Sequence, residues 1–124
     1  MEEYSDGLNN HHYAYLTTVG RVTGRPHRIE IWFVMISRSM WVLSGGGRNS
    51  DWVQNLIADP ELVVEVGDGR WTAQAVLHDE AASHPARERL AERYQAWQQG
   101  TPLTEWALSS LLISITTQPS TEIE

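Results

Sequence analysis

The chain has 124 residues, is 41% hydrophobic with six tryptophans and no cysteine, and carries a formal net charge of −7. That length supports one small core, the apolar content argues against disorder, and the missing thiols exclude a disulfide framework and cysteine chemistry. No apolar run approaches the ~18 residues a membrane span needs and no signal peptide opens the chain, so a cytoplasmic protein without stable membrane insertion is expected.

The charge is unevenly spread. All nine positive residues are arginines; five of them (Arg21, Arg25, Arg28, Arg38, Arg48) fall within residues 7–50 against the single acid Glu30. The rest of the chain holds four arginines and fifteen acids. An acidic body is a poor nonspecific nucleic-acid binder. A local basic region suits a small anion, because guanidinium forks match phosphate and carboxylate. Solvated hairpin arginines are the plain alternative.

Residues 1–12 are polar and read as a flexible lead-in, with His11 and His12 at the surface. Tyr13–Val19 reads as a first strand, rich in aromatic and β-branched residues. Residues 20–26, Gly-Arg-Val-Thr-Gly-Arg-Pro, read as a turn. Arg28–Ser37 reads as one second strand whose apolar run, Ile31 to Ile36, suits burial on both faces. Glu30 within it is expected to pair with Arg28 or Arg21. Arg38 and Ser39 turn the chain into a third strand, Met40–Leu43.

The next stretch organises the rest. Ser44-Gly45-Gly46-Gly47-Arg48 is a glycine loop, followed by the N-cap candidates Asn49, Ser50 and Asp51 and by a helix stopped at about Asp59 by Pro60. Trp52, Val53, Leu56 and Ile57 form its apolar face, with Asn55 on the margin. A glycine loop feeding a helix N-terminus favours an anion, and Arg48 adds a cation beside it. A flexible connection is the alternative.

Glu61–Val66 alternates as a strand, Asp68-Gly69 signals a hairpin, and Trp71–Leu77 returns. Ser83 with Pro85 opens a second helix, in which Leu90, Ala91, Tyr94 and Trp97 recur at helical spacing until Gly100 and Pro102 close it. A helical turn at residues 104–108 precedes a last strand, Leu111–Thr116, and a polar tail, 118–124. The expectation is a mainly β (α+β) domain over residues 13–117, with about six mostly antiparallel strands and two main helices.

Several chemistries are missing from the pattern. No metal-ligand spacing is present, so no metal is expected. There is no nucleophile elbow, and without lysine there is no Walker loop. The glycine triplet does not continue as a dinucleotide fingerprint. An enzyme of this composition would take its chemistry from a cofactor.

Leu16-Thr17-Thr18-Val19-Gly20-Arg21-Val22-Thr23-Gly24-Arg25-Pro26, an Ile-Trp-Phe strand, Ser44-Gly45-Gly46-Gly47 and then Asp51-Trp52-Val53-Gln54-Asn55-Leu56-Ile57-Ala58-Asp59-Pro60 follow in that order. In this order they resemble the deazaflavin-dependent nitroreductase family, over roughly residues 13–116. The resemblance implies a split β-barrel of the FMN-binding type and coenzyme F420, an 8-hydroxy-5-deazaflavin with a phosphate and a polyglutamate tail. It implies that Arg21 and Thr23 contact the phosphate or tail and that Ser44 and Gly47, with Gly45, Gly46 and Trp52 beside them, line the cleft. Asn55 would hydrogen-bond the cofactor, and Glu30, Ile31 and Trp32 would lie along its ring. Where the family often carries basic residues, this chain has Val22, His27 and Gly45, with Arg25, Arg28 and Arg48 near enough to substitute. That departure makes FMN the alternative cofactor.

The resemblance further implies an oxidoreductase that passes a hydride to a quinone, enone or nitro compound. Trp32, Tyr94 and Trp97 are candidate pocket walls or ordinary core aromatics. No catalytic residue is assigned; Tyr94 is the one candidate proton donor. Rival readings are an FMN-dependent split-barrel oxidoreductase, a non-catalytic carrier of a deazaflavin, flavin or tetrapyrrole, and a structural dimer module. Split barrels often pair through their sheets, so a homodimer is one expectation, and the 31–36 run would equally suit a monomer's core.

Overall fold

The computed structural model describes residues 3–79 and 84–117. These residues form seven strands: β1 (Ala14–Val19), β2 (Pro26–Ile31), β3 (Val34–Ile36), β4 (Ser39–Ser44), β5 (Glu61–Val66), β6 (Gly69–His78) and β7 (Leu111–Thr117). The helices are α1 (Asp51–Ala58), α2 (Pro85–Gln95) and α3 (Glu105–Ser109). All strands belong to one antiparallel sheet in the order β2-β1-β5-β6-β7-β4-β3. Among the described residues no helix is long and apolar enough to cross a membrane.

The strand expected over residues 28–37 is two strands. They stand at opposite edges of the sheet, joined only by Trp32 and Phe33. Laid flat, seven strands would put those edges ~29 Å apart at ~4.8 Å per spacing. Three residue steps reach only ~10 Å. The sheet therefore has to curl until its edges meet, which makes the split barrel. The apolar run is explained by this crossing: Phe33 is fully buried, and Val34 and Met35 nearly so, where the barrel closes.

One side chain fastens the seam. Tyr94 Oη accepts from Phe33 N (3.1 Å) and lies 3.0 Å from Phe33 O and 2.8 Å from His12 O, either of which its proton can reach. Its ring stacks on Trp32, with centroids 4.6 Å apart and planes 5° from parallel. Arg93, one residue earlier, lies over the Phe33 ring and donates to Asn9 Oδ1 and to His11 O. Asn9 in turn makes both hydrogen bonds to the backbone of Met35, so it covers the free edge of β3.

The flexible lead-in expected at residues 1–12 is therefore anchored over its described part. Asp6–Asn10 is a 3₁₀ turn, Tyr4 and Leu8 are buried, and Tyr4 Oη donates to Ile115 O. Asp6 accepts from Ser37 N and Arg38 N, holding two non-glycine residues at φ 53° and 68°, a left-handed pair that suits a tight hairpin. That turn is Ser37–Arg38, one residue before the expected one, because Ile36 pairs with Ser39. The later hairpin likewise turns at Gly67–Asp68, since Val66 pairs with Gly69.

Alternation sorts the core. Leu62, Val64 and Val66 face inward with Leu16, Met40, Val42, Ala73, Ala75, Ile113 and Ile115, and Trp52, Val53 and Leu56 of α1 complete that core. Val34, Leu43 and Leu112 face outward under Ala86 and Leu90 of α2. Because both faces are covered there, β4 and β7 read as nearly continuous apolar runs. Helix α2 stops at Gln95, ahead of the expected Gly100, because Ala96 takes the left-handed conformation (φ 55°). Its N-cap is His84, whose Nδ1 accepts from Ala86 N; burial first, then His78 and Arg87, lower its pKa, which suits an acceptor nitrogen. Ser83, expected to open the helix, and the tail at 118–124 lie outside the described residues.

Burial is the main cause that raises the Tyr94 pKa above the ordinary phenol value. The folded state thus favours the phenol, and the stability linked to it is complete below pH ~10 and lost as pH rises through the raised value. Tyr94→Phe, which leaves the seam's backbone groups unpartnered, is expected to cost about 1–3 kcal/mol in urea denaturation at pH 7. The deficit relative to wild type should shrink above pH 10. A cost below ~0.5 kcal/mol would remove Tyr94 from the seam's support.

Candidate functional site

The turn between β1 and β2 is built around a close approach. Gly20 N donates to Arg25 O at 2.8 Å, and a Cβ on Gly20 would sit only 2.8 Å from that same oxygen, so no side chain fits there. Thr23 Oγ1 accepts from Arg25 N and tightens the loop. Arg21 and Arg25 are thereby held on either side of Thr23.

Helix α1 is tied to this turn through Asn55, which is 2% exposed. Its Oδ1 accepts from both Arg21 N (3.1 Å) and Arg21 NH1 (2.8 Å), and its Nδ2 donates to the buried Thr18 Oγ1 (3.0 Å). Asp51, in the first turn of α1, takes Arg21 NH1 on its carbonyl (3.3 Å) and NH2 on its carboxylate (3.2 Å). Gly20, Arg21, Thr23, Arg25, His27, Asp51 and Asn55 together line a cleft of about 300 Å³. Asn55's carbonyl oxygen is filled by Arg21, so its amide acts on the turn from within.

At the far end of β2 lies a second cleft, of about 220 Å³, lined by Tyr13, Glu30, Ile31, Trp32, Leu43 and Trp106. Trp32 is held between the stacked Tyr94 ring and the edge of Trp106 (centroids 5.3 Å, 85°). The glycine loop reaches this end too: a Cβ on Gly45 would lie 3.9 Å from Trp106 Cδ1. Pro26 and Ile31, the ends of β2, are separated by ~17 Å at ~3.3 Å per residue. One strand therefore joins a cationic cleft to an aromatic one.

Other expected site residues go elsewhere. Glu30 accepts from Tyr15 Oη (2.8 Å) and does not pair with either arginine. That bond is the main reason the Tyr15 pKa is raised. Arg28 stacks over Tyr15 and pairs with Glu65, which directly faces Tyr15 on the neighbouring strand. Arg48 forks onto Asp79 and opens, with Gly47, onto a recess of about 310 Å³ beside His78 and Arg87. Ser44 is buried and bonds to Gly47 O and Ser50 Oγ, which braces the loop; Gly47 itself sits at φ 62°. Gly46 is exposed, and Trp52 belongs to the barrel core.

The aromatic residues sort differently from expectation. The Tyr94 hydroxyl, the candidate proton donor, is bound into the seam. Trp97 donates to Thr101 O and Pro102 O outside α2, and the wall expected of it is supplied by Trp106. Tyr13, Asp51, His27 and Trp106 were not expected. Asp51 opens one recognised motif segment and His27 directly follows another, whereas only the closed seam brings Tyr13 and Trp106 to one cleft.

The sequence profile of the F420H(2)-dependent quinone reductases matches residues 3–106. The chain belongs to that family. It is thus a member of a family of F420-dependent oxidoreductases with the split-barrel fold of the pyridoxamine-phosphate-oxidase type. Among solved structures, a conserved hypothetical protein of Mycobacterium tuberculosis is 22% identical, with a TM-score of 0.78 over 95% of this chain and 81% of its own. An F420 reductase is 17% identical, with a TM-score of 0.66 over 95% and 96%. A candidate pyridoxamine 5′-phosphate oxidase of Listeria innocua is 20% identical, with a TM-score of 0.64 over 90% and 87%. No curated protein matches the chain.

Within this quinone reductase relative, Asn55 is the bond between α1 and the basic turn. Asn55→Ala would strip the buried Thr18 hydroxyl of its donor and the part-buried Arg21 N–H of its acceptor, and is expected to destabilise by about 1–3 kcal/mol in urea denaturation. Amide exchange of Arg21 should accelerate as well. Wild-type exchange at Arg21 in the variant would contradict the link.

Proposed function

We propose that the protein is an F420-dependent reductase that binds the deazaflavin along β2, with its phosphate at Arg21 and Arg25 and its ring at Trp32. One observation carries the reading: a single extended strand joins a cleft holding two arginines to a cleft walled by Tyr13, Trp32 and Trp106. The donor set fits the cofactor, since guanidinium groups suit its phosphate and flat aromatic walls suit its ring. Among the described residues the Arg25 guanidinium has no hydrogen-bond or ion-pair partner, which leaves it free for an anion.

When bound in its reduced form, the cofactor supplies a hydride to a quinone, enone or nitro acceptor, as a two-electron donor. Arg21 and Arg25 anchor the anionic end, and the rigid turn set by Gly20 and Asn55 fixes where that anchor lies. Trp32, kept in place by Tyr94 and Trp106, gives the ring a flat wall and excludes water beside it. Glu30, held by Tyr15, adds a hydrogen-bond acceptor at the ring end. With Tyr94 bound into the seam, it is not assigned as the proton donor that completes acceptor reduction.

Quenching of tryptophan fluorescence by F420, with FMN in parallel, tests the reading. F420 should bind, and a quinone should then reoxidise the reduced complex. Binding of FMN alone would favour the flavin-dependent alternative; F420 binding without reoxidation by any acceptor would favour a carrier. Arg21→Ala should weaken F420 binding about 10–100-fold, the worth of one or two charged hydrogen bonds. Its urea midpoint should change by the equivalent of less than ~1 kcal/mol, since the residue lies in an exposed turn. An unchanged dissociation constant would remove Arg21 from the site.

A further inference from the structure

Trp106 reaches the aromatic cleft from α3, a helix of five residues, too short to persist unaided. Thr104 caps its start, where Oγ1 accepts from Ala107 N. Its end is gripped by Arg87, a buried residue in the first turn of α2. The NH1 group of Arg87 donates to the carbonyl oxygens of Ala107 (3.0 Å), Leu108 (3.3 Å) and Ser110 (2.8 Å). A cation on the last carbonyls of a helix satisfies acceptors that have no partner within it, and it suits the helix dipole.

The turn that presents Arg87 is itself fixed by His84. His84 Nδ1 accepts from Ala86 N at 3.0 Å, and its ring packs on Trp41 of β4 with centroids 4.2 Å apart. Only a neutral ring keeps a lone pair for that bond. A proton on Nδ1 would turn the acceptor into a donor facing the Ala86 N–H, and would put a cation at the end of the helix that disfavours one. Two charged groups act on the ring, and both repel a cation there: Arg87, and His78 of β6 once protonated, whose ring centroid is 6.5 Å away. Arg48 and Asp79, paired with each other, line the recess beside His78 and Arg87. Among the described residues no carboxylate pairs with His84.

We propose that His84 is an acid-sensitive latch on the aromatic cleft: its neutral ring holds the first turn of α2, that turn aims Arg87 at α3, and proton uptake at His84 releases Trp106 from its place against Trp32. The Trp106 ring meets Trp32 edge-on at 5.3 Å, so a slackened α3 alters a wall of the cleft. Burial first, then His78 and Arg87, holds the His84 pKa below its ordinary value of 6.5. The hold is therefore complete above about pH 6.5 and is lost as pH falls through the lowered value. The latch itself needs no ligand. Its effect on a bound ring rests on the reading that the deazaflavin lies against Trp32 and Trp106.

NMR of the unliganded protein between pH 8 and pH 5 tests the latch. The Trp106 indole N–H resonance should move with the same midpoint as the His84 ring protons, below pH 6.5. The amides of Leu108 and Ser110, which donate to Thr104 O and Trp106 O, should lose about fivefold in exchange protection once the intrinsic effect of pH is removed, the worth of one N-cap. His84→Asn keeps a capping oxygen and cannot titrate, so both pH dependences should flatten. His78→Gln removes a like charge and should raise the His84 midpoint. A Trp106 resonance that ignores the His84 titration overturns the inference. So does one that follows His12, beside Tyr94, or that keeps its pH dependence in His84→Asn. If that variant does not fold, the wild-type midpoints decide. In tryptophan-quenching titrations, wild-type affinity for F420, taken relative to His84→Asn, should fall about fivefold from pH 7.5 to pH 5. Coupled midpoints in a protein that binds no F420 keep the latch and remove the functional reading; F420 binding without coupled midpoints removes the latch alone.

Discussion

The architecture depends on a two-residue crossing. Trp32 and Phe33 carry the chain from one edge of a seven-stranded sheet to the other, and their reach forces the sheet to curl. Closure leaves an irregular seam whose backbone groups cannot all join a ladder. Tyr94 supplies the missing partners from outside the barrel, and Arg93 and Asn9 secure the strand beside it. The same crossing puts Trp32 at the mouth of a cleft, stacked on the side chain that locks the seam. Fold and candidate site therefore share one set of contacts, and a weakened seam would loosen both.

The basic turn illustrates how a fold can fix a guanidinium in place with few contacts. Arg21 is held by its own backbone and guanidinium against a buried asparagine, so its free edge is directed and not floppy. The arginine-rich segment of the sequence thus divides once folded: Arg28 and Arg48 pair with Glu65 and Asp79, whereas Arg21, paired with Asp51, and Arg25 line the cleft at the β1–β2 turn.

Much of this was legible before folding was considered. The strand alternation of residues 61–66, the helix stopped by Pro60 and the two motif segments lead to the split barrel and to the family. Local pattern could not reveal that residues 28–37 cross from edge to edge, because an apolar run looks alike in one buried strand and in two. Nor could it show that polar residues near the N-terminus cap the β3 edge, since Asp6 and Asn9 act on Ser37, Arg38 and Met35 some thirty residues on. Trp97 was an expected wall and Trp106 was not, although residue type alone does not separate them. The left-handed Ala96 takes Trp97 off the helix, and packing of α3 beside α2 delivers Trp106 in its place. Asn55 was visible as a motif residue, but its role inside the turn depends on burial, which spacing alone does not give.

The account's central claim is that one strand, β2, carries a ligand with its anion at one end and its ring at the other. A crystal structure of the protein with oxidised F420 tests it most directly. The account predicts phosphate density within hydrogen-bond reach of Arg21 Nε and Arg25, with the deazaflavin ring against Trp32 and Trp106. Phosphate beside Arg48 and Arg87, or a ring on the far side of the sheet from Trp32, would contradict it.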